Sequence, residues 1–305
     1  MSKLTQQDLD MWVDGTEGVF SLDEAMKELN LEREDRRVLR VYLSRLVKRG
    51  ILENVGNRMG HYRLIQTEWE PINIFGKSKF HDLVFPVPIQ KYVRLGRGGM
   101  CLVAGEKDAG KTGFLLNIAM RNAARLKQLG QTIRYFETGE TGPDLMRERL
   151  LEMNPTLTSL PFELLRLDGE PEDTVRRYPN DITIIDYIEA PEEAWRIKGS
   201  LTRLSKGLAG GEGGALIALQ KPKGRDDAYG GQGVKDKAQI YLALESKNGS
   251  GWWKCRIVTA KSRVQTMIDP VGKEWKYHIK ALGTEFADMD PNDWVDQDRP
   301  ARVEF

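Results

Sequence analysis

Residues 105–112 read Gly-Glu-Lys-Asp-Ala-Gly-Lys-Thr, and no other stretch constrains the fold as strongly. The octet fits G-x-x-x-x-G-K-[ST] in full. It follows the apolar run Cys101-Leu102-Val103-Ala104, suited to a buried parallel strand, and precedes a helical stretch from Phe114 to Leu129 that Gly130 stops. Gly105 and Gly110 let the backbone turn tightly, so that several N–H groups point inward at phosphate oxygens. The helix opening near Lys111 aims its positive end at the same charge. Gly105, Glu106, Lys107, Asp108, Ala109, Gly110, Lys111, Thr112 and Gly113 are therefore the expected cradle for ATP. Lys111 is expected to reach the β- and γ-phosphates, and Thr112 to place its hydroxyl on Mg²⁺. A chance glycine turn is the alternative; the strand before and the helix after argue against it.

A strand feeding such a loop needs a sheet around it. Further strands are read at 132–136, 182–185, 215–219 and 240–244, with Pro191 opening a helix that runs to about Ala209. A strand from Trp253 to Ala260 and a hairpin around Asp269–Gly272 finish the sheet. This alternation predicts an α/β fold, a parallel sheet with helices on both faces. Hydrolysis needs acids at strand ends beside the loop. Asp186 follows Ile182–Ile185 and is the expected magnesium carboxylate, with Thr112 as the other metal residue. Glu137 ends the strand Ile133–Phe136 and is the first candidate for orienting the attacking water, with Glu140 the competitor.

In this order the segments resemble the RecA/DnaB-type P-loop ATPases, over about residues 84 to 280. Tyr135-Phe136-Glu137-Thr138 with Asp144–Leu150 is similar to that family's catalytic-glutamate segment, and Ile184-Ile185-Asp186-Tyr187-Ile188 to its second nucleotide motif. Leu216–Gln220 resembles the strand ending in a γ-phosphate-sensing glutamine, and Lys261-Ser262-Arg263 its K-x-R pair. The resemblance implies catalytic roles for Lys111, Glu137, Asp186 and Gln220. It also implies that Lys261 and Arg263 act on the ATP of an adjacent subunit, in a homo-oligomer that is a hexameric ring or helical filament. Such a cation stabilises charge spreading over the transferring phosphoryl group. Three departures weigh against processive unwinding. The helical N-terminal domain of the replicative helicases is absent, Lys237-Ala238-Gln239 stands where acids are usual, and the chain between the second and third strands is short.

Behind Gln220 comes a glycine-rich basic stretch, 221–237, with Lys221, Lys223, Arg225, Lys235 and Lys237. It is suited to gripping a single-stranded backbone, with Tyr229 stacking on a base; an ordinary surface loop is the alternative. The clusters Gly96–Gly99 and Gly210–Gly214 lack dinucleotide-fold spacing and read as turns.

Residues 1–66 read as a separate domain. A first helix covers Leu4–Val13. Ser21 with Glu24 forms a capping box opening a second helix to Leu29, and a third runs from Arg33 to Lys48 before Gly50. Strands at 51–55 and 61–65 then flank Gly56–Gly60. The layout resembles a winged helix-turn-helix. Arg36, Arg37, Arg40, Arg45 and Lys48, with Arg33 and Arg49 beside them, make the third helix basic, and Arg58 and Arg63 lie on the candidate wing. DNA contact is the expectation; a solvated face or a protein contact is the alternative. Residues 67–95 read as a linker packing on the core of 96–283, and 284–305 as a dangling acidic tail.

The formal net charge of +1 decides nothing about DNA, since only the distribution of charge can. Cys101 and Cys255 sit in apolar runs and are expected to be reduced and buried; no C-x-x-C pair or histidine cluster suggests zinc. No apolar stretch is long enough to span a bilayer and the N-terminus is polar, so a cytoplasmic protein is expected. The combined expectation is a DNA-binding, Mg²⁺-dependent ATP hydrolase that translocates on or remodels DNA. A recombinase-like filament protein and an ATP-gated winged-helix regulator are the alternatives.

Overall fold

A computed structural model describes residues 4–16, 18–55, 60–65, 80–188, 195–247, 251–264 and 268–289. The chain divides into two compact units, one of 1–78 with 190–203 and the other of 79–189 with 204–305.

In the first unit, α1 (Gln6–Gly15) is capped by Thr5 and Asp8. A short strand, β1 (Val19–Ser21), leads into α2 (Leu22–Glu28). The capping box read from sequence is in place: Glu24 N–H donates to Ser21 Oγ at 3.1 Å and Ser21 N–H to Glu24 Oε2 at 2.6 Å. The third helix begins later than expected. Residues Arg33–Asp35 make a 3₁₀ turn, and α3 spans Arg36–Lys48. Strands β2 (Leu52–Asn54) and β3 (His61–Leu64) pair antiparallel, and β1 adds to β3, giving the order β1-β3-β2. Strand β1 went unread because only Phe20 of its three residues is buried, too few for a period. Leu9, Trp12, Phe20, Leu39, Leu43, Leu46 and Leu52 form the core, with Trp12 edge-on to Phe20 at 4.8 Å. The opposite side of α3 exposes Arg37, Arg40, Val41, Ser44, Arg45 and Lys48. Two of the expected DNA cations are already engaged: Arg36 pairs with Asp23 at 2.5 Å and Arg63 with Glu53. Arg58 lies outside the described residues.

The second unit is built on a nine-stranded sheet, in the order β14-β13-β12-β11-β6-β10-β9-β7-β8. A two-stranded pair, β4 (Phe80–His81) with β5 (Leu95–Gly96), precedes it. The parallel strands are β6 (Gly99–Gly105), β7 (Ile133–Glu137), β8 (Glu163–Arg166), β9 (Ile182–Ile188), β10 (Gly214–Gln220) and β11 (Ile240–Glu245). Three antiparallel strands follow: β12 (Trp253–Ala260), β13 (Glu274–Lys280) and β14 (Glu285–Ala287). Its helices are α4 (Lys111–Gln128), α5 (Pro143–Met153), α6 (Pro171–Arg177), the end of α7 (Trp195–Leu208) and the short α8 (Gln232–Lys235). This is the α/β architecture with a largely parallel sheet expected from the sequence.

Strand β6 is buried along its whole length, as a central parallel strand must be. Cys101 and Val103 meet Phe114, Leu115, Ile118 and Ala119 of α4 in one core. By strand alternation Leu102 and Ala104 face the other way, and that face is equally dry. Burying each large apolar side chain of α4 contributes about 1.5–3 kcal/mol, which fixes the helix and the loop before it. Both cysteines are free and fully buried, and burial pushes their thiols up, as expected of inert core residues.

Two boundaries differ from expectation. Of the segment read as a linker, residues 80–95 put Leu83, Phe85, Val87, Ile89, Val93 and Leu95 into the core itself, while 67–79 lie outside the described residues. The tail does not dangle from its start. Residues 285–287 form β14 on β13, Phe286 and Thr284 are buried, and Phe286 packs edge-on to Phe114 at 5.7 Å. Residues 290–305 lie outside the described residues.

Candidate nucleotide-binding site

Ligands of open parallel sheets bind beyond the carboxyl ends of the strands. Here β6, β7, β9, β10 and β11 deliver their ends to one edge. The register sets Gln220 beside Gly105 and Glu137 beside Asp186. The loop after β6 borders a cleft of about 670 Å³, a size suited to a small ligand. Its walls include Lys107, Asp108, Gly110, Lys111, Thr112 and Gly113 from the loop, with Glu140, Tyr187 and Gln220.

The loop's geometry depends on its glycines. Gly110 has φ 81° and caps α4, a conformation that a side chain would strain. A Cβ on Gly113 would lie 1.7 Å from the Gly283 carbonyl oxygen, so the strap between β13 and β14 presses directly on the first turn of α4. Asn117 secures that strap by donating to the carbonyls of Gly113 and Thr284, at 2.9 and 2.6 Å.

Lys111 is curled back over the loop. Its Nζ donates to the carbonyls of Glu106 at 3.0 Å and Gly105 at 3.3 Å, and lies 5.6 Å from the Tyr187 ring centroid. Burial lowers its pKa, while Asp186, Glu140 and Asp108 favour the charged form. Asp186 is buried in β9, and burial raises its pKa; the Tyr135 and Thr112 hydroxyls and the Lys111 ammonium oppose that rise. Tyr135 Oη donates to Asp186 Oδ2 at 2.6 Å, whereas Asp186 Oδ1 is buried with no hydrogen-bond partner. A buried carboxylate oxygen left open beside a threonine hydroxyl and a lysine fits a divalent cation with oxygen ligands. Thr112 and Asp186 are thus suited to magnesium.

Of the two candidate acids for water, the structure brings Glu140 to the cleft and not Glu137. Glu137 Oε1 accepts the Thr141 N–H at 2.8 Å, and Glu137 lines a separate crevice with Met146, Leu164 and Arg166. Gly139, at φ 96°, lets the chain reverse so that Glu140 follows on the other side.

Gln220 is on the cleft as expected. Lys261 and Arg263 are not on it: Lys261 Nζ donates to the Asp236 carbonyl, and Arg263 pairs with Asp269 at 3.0 Å. The basic stretch 221–237 differs from its reading. Lys221 is buried and paired with Glu106, and Lys235 pairs with Asp227 at 2.6 Å; neither is an open phosphate cation. Lys223, Arg225 and Tyr229 are exposed. Trp253, Ile279, Leu145 and Arg149 also line the cleft and were not read from sequence. Trp253 Nε1 donates to the Asp108 carbonyl at 3.1 Å, and Arg149 Nε to the Leu282 carbonyl at 3.2 Å. These contacts join residues more than 100 apart in the chain, so no local spacing marks them.

No family model matches the chain, and no curated protein matches it. Among solved structures it is similar to a KaiC-like protein from the hyperthermophilic archaeon Pyrococcus horikoshii OT3. That similarity covers 69% of this chain and 100% of the other, at 15% identity and a TM-score of 0.47. Among the described residues no helix is long and apolar enough to cross a membrane.

Proposed function

We propose that the chain is a magnesium-dependent ATPase that assembles with copies of itself and works on DNA. The observation that carries the reading is one cleft bordered by a glycine-turned phosphate loop, Lys111, Gln220 and Glu140, with the open Oδ1 of Asp186 set behind Thr112. On binding, Lys111 exchanges the loop carbonyls for phosphate oxygens. Thr112 and Asp186 would hold Mg²⁺, which would supply positive charge against the phosphates. Glu140 orients and polarises the attacking water, and Gln220 reads the γ-phosphate. Lys261 and Arg263, away from their own cleft, serve the site of a neighbouring copy.

The first unit has the helix and strand order of a winged helix, and its open cations Arg37, Arg40, Arg45 and Lys48 lie on the side of α3 away from the core. That arrangement suits a helix placed in a major groove with phosphates on either side. The pairing of Lys221 and Lys235 within the second unit favours a second reading, an ATP-gated regulator whose DNA affinity rests on α3. One experiment addresses both. Phosphate release is measured for the parent and Lys111→Ala, with and without single-stranded or duplex DNA. The ATPase reading requires turnover that Lys111→Ala loses by about 100-fold or more. Stimulation by single strands supports the motor; duplex binding without stimulation supports the regulator. Equal turnover by both proteins ends the ATPase reading.

A further inference from the structure

Glu106 occupies a position of the phosphate loop where the motif accepts any residue, yet it is a buried acid at 6% exposure. A buried carboxylate is costly unless its oxygens are satisfied. Both are. Oε1 accepts the Gly224 N–H at 2.9 Å and faces Lys221 Nζ at 3.5 Å. Oε2 accepts the Ser246 hydroxyl at 2.8 Å and, more weakly, the Ser246 N–H at 3.4 Å. Lys221 Nζ in turn donates to the Arg225 carbonyl at 2.6 Å. Burial pushes the Glu106 carboxyl up, but Gly224, Ser246 and Lys221 outweigh it and hold it below the usual carboxylate range. One charged side chain of the phosphate loop therefore ties down the root of the stretch after β10 and the residue following β11.

The main chain of the same residue faces the ligand. Its carbonyl accepts Lys111 Nζ at 3.0 Å, in the place the ammonium leaves when it turns to phosphate. Its N–H donates to the Leu244 carbonyl at 3.3 Å, and Lys221 N–H donates to the Gly105 carbonyl at 3.1 Å. Residues 105 and 106 thus join the ends of β6, β10 and β11, with the phosphate lysine on one side and the glycine-rich stretch on the other.

We propose that Glu106 is a positioning residue that transmits occupancy of the phosphate site to residues 221–225 and to Ser246. Withdrawal of Lys111 from the Glu106 carbonyl releases the peptide that carries the carboxylate, and the carboxylate moves the segments it holds. This link is independent of Gln220, which reaches the same stretch along β10. It rests on the nucleotide-binding reading.

The test is hydrogen–deuterium exchange of the full chain, free and saturated with the magnesium complex of adenylyl-imidodiphosphate. Saturation of each protein is first fixed by titration with a fluorescent ADP. In the parent, nucleotide changes exchange at amides 223–231 by about tenfold, the scale of a local opening equilibrium shifted by a bound ligand. Glu106→Gln and Ser246→Ala cut that change to less than about twofold, whereas Ser246→Thr, which keeps the hydroxyl, retains it. The ligand-dependence, rather than the exchange itself, is the readout, because a purely structural role would raise exchange equally in both states. If Glu106→Gln does not fold, the Ser246 pair decides. Failure of the parent to bind the fluorescent ADP removes the nucleotide reading. Binding with no change at 223–231, or a response in Ser246→Ala equal to the parent's, overturns the link and leaves that reading intact.

Discussion

Replacing each of the two rival acids by glutamine separates the cleft geometry from the simpler strand-end reading. A positioned general base contributes about 10²–10⁴-fold to rate. At about 1.4 kcal/mol per tenfold, Glu140→Gln loses about 3–5.5 kcal/mol of transition-state stabilisation. Glu137→Gln keeps an amide oxygen that still accepts the Thr141 N–H, so the bond at 2.8 Å survives with a neutral acceptor. Hydrogen bonds to charged groups contribute about 1.5–3 kcal/mol and neutral ones about 0.5–1.5, so the change costs about 1 kcal/mol in placing the turn. That is about fivefold in turnover at most. Removing the Glu137 charge also eases ionisation of Asp186, which partly offsets the loss. The assay is steady-state phosphate release at saturating ATP, beside the Kd of a fluorescent ADP. The expected pattern is a fall in kcat for Glu140→Gln alone, with ADP held by both variants. A loss of 100-fold or more in Glu137→Gln, with Glu140→Gln within about fivefold of the parent, would refute the reasoning from the cleft.

Tyr135→Phe removes the hydroxyl that donates to Asp186 Oδ2 at 2.6 Å, and that donor favours the charged carboxylate. Burial already raises this group, so without the hydroxyl it rises further and ionises only at higher pH. The acid limb of the pH–turnover profile should move upward, with a larger deficit at pH 6 than at pH 8; an unmoved limb would show the hydroxyl has no such role. Gly113→Ala forces a methyl group to within 1.7 Å of the Gly283 carbonyl oxygen. Overpacking against backbone costs about 1–3 kcal/mol, and each kcal/mol lowers Tm by about 2–4 °C in a unit of this size. Calorimetry showing an unchanged Tm would mean that the strap yields freely.

Much of the fold and part of the site were legible because they are local. The octet Gly105–Thr112 fixes a strand, a turn and a helix within a few residues, and Asp186 and Gln220 follow buried apolar runs whose ends can be counted. The acid that lines the cleft was not legible in that way. Strand β7 ends on Glu137, but the Thr141 amide captures it and Gly139 reverses the chain, so the fourth residue of a turn, not the last of a strand, reaches the cleft. Strand β14 was hidden by its acidic neighbours: Phe286 is the single large apolar residue in it, and its burial depends on Tyr277 of the adjacent strand and on Phe114 far back in the chain.

The basic stretch after β10 shows why composition is a weak guide to a nucleic-acid surface. Counting side chains between 221 and 237 finds five cations, but what a phosphate meets is what remains after internal pairing. Lys221 is committed to a carboxylate 115 residues earlier, and Lys235 to Asp227. One acid of the same stretch is drawn inward as well, since Asp226 faces Arg256 at 3.1 Å. On α3 the accounting runs the other way. Arg36 is taken by Asp23, yet Arg37, Arg40, Arg45 and Lys48 stay exposed, because the helix buries leucines on its other side and places no acid among them. Each phosphate neutralised contributes about 0.9 to the slope of log affinity against log salt. Of the two basic regions, the short helix of the first unit therefore has the stronger electrostatic claim on DNA, although the glycine-rich stretch carries more cations in sequence than its exposed surface offers.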